Sequence, residues 1–281
     1  MISGKTQLCV VVGDPVEHSL SPAMHNAGYR AAGLEDQFVY VACRVAPADI
    51  KLFVDSMRAL HIRGASCTMP HKEIIMPYLD VVDEVAQQIG AVNTVVQKQG
   101  KLYGYNTDWL GTITPLKELT SLKRKRVAVL GAGGTAKAMV FGLLREGAIV
   151  TVHNRTLAKA EALATQFSCS ATTLDNRQSL QQADIICNAT PVGMGDTRDR
   201  TPIDTTIISN RHIVFDAIYT PYETMLLREA AQYGARIIHG TEMLLHQALP
   251  QFELFTGKSA PLGAIRAAQL EALHIKEPGD V

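Results

Sequence analysis

The sequence predicts an α/β protein of two domains, each built on a largely parallel sheet, with C-terminal helices that return to the first domain. Three observations carry this. Short apolar runs and amphipathic segments alternate almost from end to end, which is the mark of βαβ units. The alternation restarts more strictly at Arg126. The 281 residues are enough for two domains and stand at the upper limit for a single hydrophobic core. The expected domains are 1–108, 109–240 and a helical tail 241–281 that packs on the first.

In order, Gln7–Val12 reads as a strand, Pro22–Ala32 as a helix, Gln37–Ala42 as a strand, Ala48–Leu60 as a helix and Gly64–Thr68 as a strand. His71–Ile89 reads as one helical stretch. Ala91–Gln97 and Lys101–Tyr105 form a hairpin around Gln99-Gly100, and a helix begins near Thr107. In the second half, Val127–Leu130, Ile149–His153, Ile185–Asn188, Ile213–Ala217 and Ile237–His239 are strands. Thr135–Arg145 and Leu157–Phe167 are helices, as are Thr241–Phe255 and Leu262–Leu273 in the tail. The cleft between the domains is the expected ligand site.

Lys+Arg and Asp+Glu are both 27, so no net field favours nucleic acid or an anionic membrane. The basic cluster Lys123–Arg126 reads as a solvated linker. Five cysteines, odd in number and never spaced Cys-x-x-Cys, argue against a disulfide framework or a zinc site. The nine histidines form no metal-ligand pattern, so no metal is expected. With no long apolar span, a cytoplasmic protein, monomer or homodimer, is expected.

The strand Val127–Leu130 runs into Gly131-Ala132-Gly133-Gly134-Thr135-Ala136. This is the dinucleotide fingerprint of a Rossmann-type domain. Gly131 permits the tight turn, Gly133 lets backbone approach a pyrophosphate, and Ala136 keeps helix and strand close. The helix N-terminus then faces the phosphates. The next strand ends in His153-Asn154-Arg155-Thr156, where an NAD enzyme would place an acid for the ribose hydroxyl. An arginine there suits a 2′-phosphate, so NADP is the expected cofactor.

Three polar segments of the first half are candidates for chemistry. In His18-Ser19-Leu20-Ser21-Pro22, Ser21 reads either as a helix cap or, with Ser19, which the cap does not need, as one of two hydroxyls on one turn able to hold a carboxylate. In Thr68-Met69-Pro70-His71-Lys72-Glu73, Lys72 lies in a helix's first turn, where the dipole disfavours a cation. A residue that breaks a local rule is a functional candidate. Asn93-Thr94 and Tyr105-Asn106-Thr107-Asp108 form the third group, where Asp108 also fits a simple capping role.

Together these segments resemble the shikimate dehydrogenase family over nearly the whole chain, with further matches at Gly90–Thr94, Asn188–Met194 and Gly240–Gln247. The resemblance implies Lys72 and Asp108 as the catalytic pair and Ser19 and Ser21 on the substrate carboxylate. Thr68, Asn93 and Gln247 would bond ring oxygens, with Tyr219 nearby. It places the cofactor's adenosine phosphate on Asn154, Arg155 and Thr156, and the nicotinamide over Thr190, Val192 and Met194, near Gly240 and Met243. The implied reaction is the reversible NADP-dependent reduction of 3-dehydroshikimate to shikimate. Quinate or another cyclic hydroxy acid is the alternative substrate. Three positions depart from the family's usual pattern: Ser66 stands for Asn, Trp109 for Gly and His239 for Asp. The indole beside Asp108 either faces outward or narrows the site.

Such a reaction needs a proton for the oxygen that turns negative as hydride arrives, and Lys72 oriented by Asp108 supplies it. Two other classes would use some of the same residues. A Schiff-base lyase on Lys72 leaves the glycine loop without a purpose. A non-catalytic NADP sensor leaves Lys72 and Asp108 without one.

Overall fold

The first apolar run is strand β1 (Gln7–Gly13), whose last five residues are buried. It lies parallel to β2 (Phe38–Arg44) on one side and β3 (Gly64–Cys67) on the other. Helices α1 (Ser21–Ala31) and α2 (Ile50–Ala59) make the two crossovers. Val10 and Val12 of β1 pack with Phe53, Val54 and Met57 of α2 in one buried cluster. The structure, a computed structural model, describes residues 1–275.

The segment read as a single helix from His71 to Ile89 is broken. It contains α3 (His71–Ile74), a 3₁₀ turn at Met76–Tyr78, a two-residue strand β4 (Val81–Val82) and α4 (Glu84–Ile89). Pro77 has no N–H to continue a helix. The Asp80 carboxylate holds the Leu102 N–H at 2.7 Å, and Asp83 caps α4 through the Val85 N–H at 3.0 Å. Then β5 (Thr94–Lys98) and β6 (Lys101–Tyr105) form the hairpin, with Gln99 and Gly100 both at positive φ. That is the turn whose twist suits a two-residue hairpin. The sheet order is β2-β1-β3-β5-β6-β4, with β5 antiparallel to both neighbours.

The chain divides into two compact units: Met1–Thr107 with the segment from Gln247 on, and Asp108–His246. The second unit therefore runs six residues past the expected boundary at 240, and the last six residues of the expected tail lie outside the described residues. The second unit opens with α5 (Asp108–Leu119) and β7 (Arg126–Leu130). It continues through α6 (Gly134–Arg145), β8 (Ile149–His153), α7 (Leu157–Phe167), β9 (Ser170–Thr172) and α8 (Arg177–Gln182). It ends with β10 (Ile185–Asn188), β11 (Ile213–Asp216), α9 (Met225–Gln232) and β12 (Arg236–Ile238). These strands are all parallel, in the order β12-β11-β10-β7-β8-β9. Val127 and Val129 enter one buried cluster and Ala128 and Leu130 another, so the sheet is covered on both faces.

A long helix, α10 (Gly240–Thr256), starts in the second unit and ends in the first, followed by α11 (Leu262–Ala272). The tail packs on α1: a side chain at Gly28 would meet Phe252 at 2.9 Å and Ile265 at 3.1 Å. All five cysteines are free thiols, and three of them, Cys9, Cys67 and Cys187, are buried. Among the described residues, no helix is long and apolar enough to cross a membrane.

Candidate active site

In the first unit the candidate residues gather where β1 and β3 end. Ser19 and Ser21 follow β1, and here the capping expectation is corrected. Ser21 lies inside α1, Leu20 is the N-cap residue, and no side chain caps the helix. Instead the Ser19 Oγ accepts the Ser21 N–H at 3.3 Å, so Ser19 is the serine that helps to close the turn. Pro22 already fills an early helical position without an N–H, which lowers the need for a cap. The Ser21 side chain is buried near the Tyr40 hydroxyl.

Thr68 leaves β3 with its N–H on the Val12 carbonyl, and its own carbonyl accepts the His71 N–H. Lys72 follows, half-buried, in the short α3. Its backbone carbonyl holds the Val92 N–H at 2.7 Å, which ties the lysine's turn to the residue before Asn93. His71 is fully buried, and its Nε2 lies 2.8 Å from the Val45 carbonyl. A carbonyl only accepts, so Nε2 carries the proton, and burial lowers the ring's pKa. The buried ring, tied to the Val45 carbonyl, fits a structural place for His71.

Asn93, Thr107 and Gln247 meet directly. The Asn93 amide donates to Thr107 Oγ1 at 2.9 Å and to Gln247 Oε1 at 3.3 Å. Its oxygen accepts the Thr107 N–H and the Thr94 hydroxyl, both at 2.8 Å. Since a backbone N–H only donates, this fixes which end of the amide is oxygen. The Thr107 hydroxyl in turn donates to the Gln247 carbonyl at 2.9 Å. Asp108, 4% exposed, comes next in the chain as the first residue of α5, where an acid suits the helix dipole.

In the second unit the candidates lie at the carboxyl ends of parallel strands. Gly131 has φ +112°, and a side chain there would crowd the Ala189 carbonyl at 3.1 Å. A side chain on Gly133 would meet nothing within 4 Å, so open space lies over the turn. Gly133 is the N-cap of α6, no side chain caps that helix, and its first turn, Gly134 and Thr135 included, carries no acid. Ala132 and Thr135 are half-buried, and Ala136 is fully buried against the sheet. After β8, the Asn154 amide donates to the Thr156 carbonyl at 2.9 Å, while Arg155 is exposed. These features fit a dinucleotide with a 2′-phosphate: a glycine turn that backbone can approach closely, a helix N-terminus with no side-chain cap, and an exposed guanidinium after the next strand.

The loop after β10 is held from behind. Thr190 gives both its N–H (3.0 Å) and its hydroxyl (2.7 Å) to Asn188 Oδ1, and its oxygen accepts the Val192 N–H. Met194 is exposed. Tyr219, after β11, is half-buried, and burial raises its pKa. At Gly240 a side chain would strike the Ile218 carbonyl oxygen at 2.3 Å, so only glycine fits; Met243 is buried one turn on. Sequence reasoning missed Asp216 at the end of β11. It is fully buried and accepts from Thr224 at 2.7 Å and from the Ile218 N–H at 3.1 Å. Burial raises its pKa to about 6. An acid closing the apolar run Ile213–Asp216 was the available signal.

The departures from the usual pattern acquire places too. The Trp109 indole packs edge-on against Phe141 of α6 (centroids 5.8 Å), under the Arg145 guanidinium. His239 stacks flat on Tyr222 at 4.2 Å. Ser66 is buried between Tyr40 and Gln251.

Counted along the second unit, the sheet runs 3-2-1-4-5-6, and the glycine turn leaves the strand at which that order reverses. This is a doubly wound dinucleotide-binding protein with a separate α/β unit. Family models match three stretches. Residues 11–95 match the shikimate dehydrogenase substrate binding domain, residues 115–193 match shikimate / quinate 5-dehydrogenase, and residues 240–268 match the shikimate 5′-dehydrogenase C-terminal domain. A protein of Methanosphaera stadtmanae named shikimate dehydrogenase (NADP(+)) is 41% identical, covering 92% of this chain and 94% of that one. A shikimate dehydrogenase crystallised with NADP+ superposes with a TM-score of 0.92 at 38% identity, covering 97% and 98% of the two chains. That of Thermus thermophilus, in complex with NADP(H) and shikimate, gives 0.89 at 35%, covering 95% and 100%. The chain belongs to the shikimate dehydrogenase family.

Proposed function

We propose that this protein is an NADP-dependent shikimate dehydrogenase, interconverting 3-dehydroshikimate and shikimate. The carrying observation is that both halves of the required machinery occur in one family member. These are the uncapped α6 N-terminus with Arg155 after β8, and the Asn93–Thr107–Gln247 cluster close in sequence to Asp108. NADPH, when bound, supplies the hydride. The Lys72 ammonium provides the proton and the positive charge that the substrate oxygen requires, and Asp108 orients both. Ser19 and Ser21 hold the carboxylate with hydroxyl donors, and Thr68 and Tyr219 complete the set.

Asn93 and Gln247 suit a ring hydroxyl. Asn93 Nδ2 donates and Gln247 Oε1 accepts, so a hydroxyl that takes the place of their direct 3.3 Å bond accepts from one and donates to the other. The decisive experiment follows NADP+ reduction at 340 nm with shikimate and with quinate, repeated with NAD+. Shikimate with NADP+ is expected to give the highest kcat/KM. Quinate carries an added hydroxyl on the carboxylate-bearing carbon, and leaving a hydroxyl unpaired costs about 1–3 kcal/mol. Equal kcat/KM for the two acids makes this a broad-specificity enzyme, and no turnover with either removes the assignment.

A further inference from the structure

Behind Asn93 lies a second polar chain that the reaction itself does not use. The Tyr40 hydroxyl is 2.6 Å from Ser66 Oγ, Ser66 Oγ is 2.8 Å from Gln251 Oε1, and Gln251 Nε2 is 2.9 Å from Thr94 Oγ1. Gln251 Nε2 also lies 3.2 Å from the backbone carbonyl of Asn93. Every proton in this chain has one possible direction. The Asn93 carbonyl only accepts, so that end of Gln251 must be the donating nitrogen. The other end is therefore the oxygen, and Ser66 must donate to it. Ser66 has one proton, so Tyr40 must donate to Ser66. Thr94 accepts from Gln251 and passes its own proton to Asn93 Oδ1 at 2.8 Å. All these side chains are buried.

The geometry of α10 explains why the chain matters. Gln247, Gln251 and Phe255 are spaced four apart and share one face of that helix. Gly64 and Ser66 are two apart and share one face of β3. Phe255 covers Gly64 so closely that a side chain there would meet its ring at 2.3 Å, and Gln251 binds Ser66. Four helical residues rise about 6 Å and two strand residues about 6.7 Å. The two contacts are therefore in step, and the Arg63 Nε–Phe255 carbonyl bond at 2.7 Å locks the far end. One turn back from Gln251 on the same face, Gln247 reaches Asn93.

We propose that Ser66 and Gln251 are a pair of positioning residues: their hydrogen bond sets the register of α10 on β3 and, through Thr94, the amide of Asn93, so that Gln247 and Asn93 are presented together to a substrate hydroxyl. This rests on the assignment of shikimate as substrate. It also gives the serine at position 66 a role: its short side chain leaves room for the glutamine of α10.

The test compares wild type with Gln251→Met, Ser66→Ala and the double variant, measuring kcat, the KM for shikimate and for NADP+, and Tm. Gln251→Met is expected to raise the shikimate KM about tenfold, with kcat changed less than about threefold and the NADP+ KM within about twofold. Ser66→Ala should move the same parameter less. The shikimate KM of the double variant should be no worse than that of Gln251→Met alone, because Ser66 reaches Asn93 only through Gln251. A mere loss of stability lowers Tm without this split. If Gln251→Met does not fold, Ser66→Ala carries the test, since it removes a single oxygen. An unchanged shikimate KM in the folded variants overturns the inference and leaves the activity intact. A wild-type protein inactive on shikimate overturns the assignment beneath it.

Discussion

Asn188 and Asp216 end two neighbouring strands, β10 and β11, and the amide of the first donates to the carboxyl of the second at 3.0 Å. The same asparagine holds Thr190 with its oxygen, so one side chain joins a buried acid to the loop over which the family resemblance places the nicotinamide. Asn188→Ala should cost about 1.5–3 kcal/mol, the range for a hydrogen bond to a charged group. It should also raise the NADP+ KM more than the shikimate KM. Urea denaturation with steady-state kinetics checks both; an unchanged midpoint with unchanged KM values would show that the joint is idle.

Lys72→Ala should lower kcat by at least ~10²-fold, as expected for a general acid–base group. NADP+ affinity should barely move, because the glycine turn and Arg155 belong to the other unit. Near-normal kcat in this variant would take Lys72 out of the mechanism.

Arg155→Ala should weaken NADP+ selectively. The residue is exposed after β8, and no acid stands beside it in Asn154-Arg155-Thr156. Losing a charged partner of the 2′-phosphate costs ~1.5–3 kcal/mol, or about 10–150-fold in affinity. Titration calorimetry giving equal losses for NADP+ and NAD+ would assign the phosphate to another group.

Acid should destabilise the protein through buried histidines. Burial lowers His25 to about 3 and His153 to about 4, from 6.5. The unfolded chain takes up these protons first, so stability present above pH 6.5 is lost as pH falls towards 4. Asp216 acts in the opposite sense. Its pKa is raised from 3.8 to about 6, so the folded state holds this proton more tightly and gains stability on acidification from pH 6 to 4. Asp216→Asn should therefore steepen the acid loss over that interval, by roughly 3 kcal/mol at most. Urea midpoints at pH 4.5, 5.5 and 7 measure the slope, and equal slopes for both proteins would contradict the raised pKa.

The long elements were legible in the sequence because each pairs a clear period with a clear stop. Gly131 and Gln99-Gly100 announced their turns by residue type, and the structure has positive φ at all three. What stayed hidden was short or tertiary. Val81–Val82 is too brief to show alternation, and it became a strand only by pairing with β6. Ser170–Thr172 and Arg177–Gln182 carry few apolar residues, and Met225–Gln232 starts at a Thr224 cap that doubles as a ligand of Asp216. In the site, Lys72 stood out by breaking a local rule in a helix's first turn, but Asp108 fitted a simple cap, and only the family resemblance gave the two a shared catalytic role. Gln251 did not stand out: from sequence it is one more polar residue in a helix, and its role needs a strand 185 residues away.

The thiols have a practical side. Burial pushes Cys9 up to about 12 and raises Cys187, and the half-buried Cys43 and Cys169 shift the same way. Only the thiolate attacks an electrophile, so each of these four sulfurs should react with maleimides more slowly than an exposed cysteine of ordinary pKa. A cysteine introduced on an exposed helix face would take up a fluorophore ahead of them. Dye pairs for distance measurements in solution then become accessible without first replacing these four native cysteines.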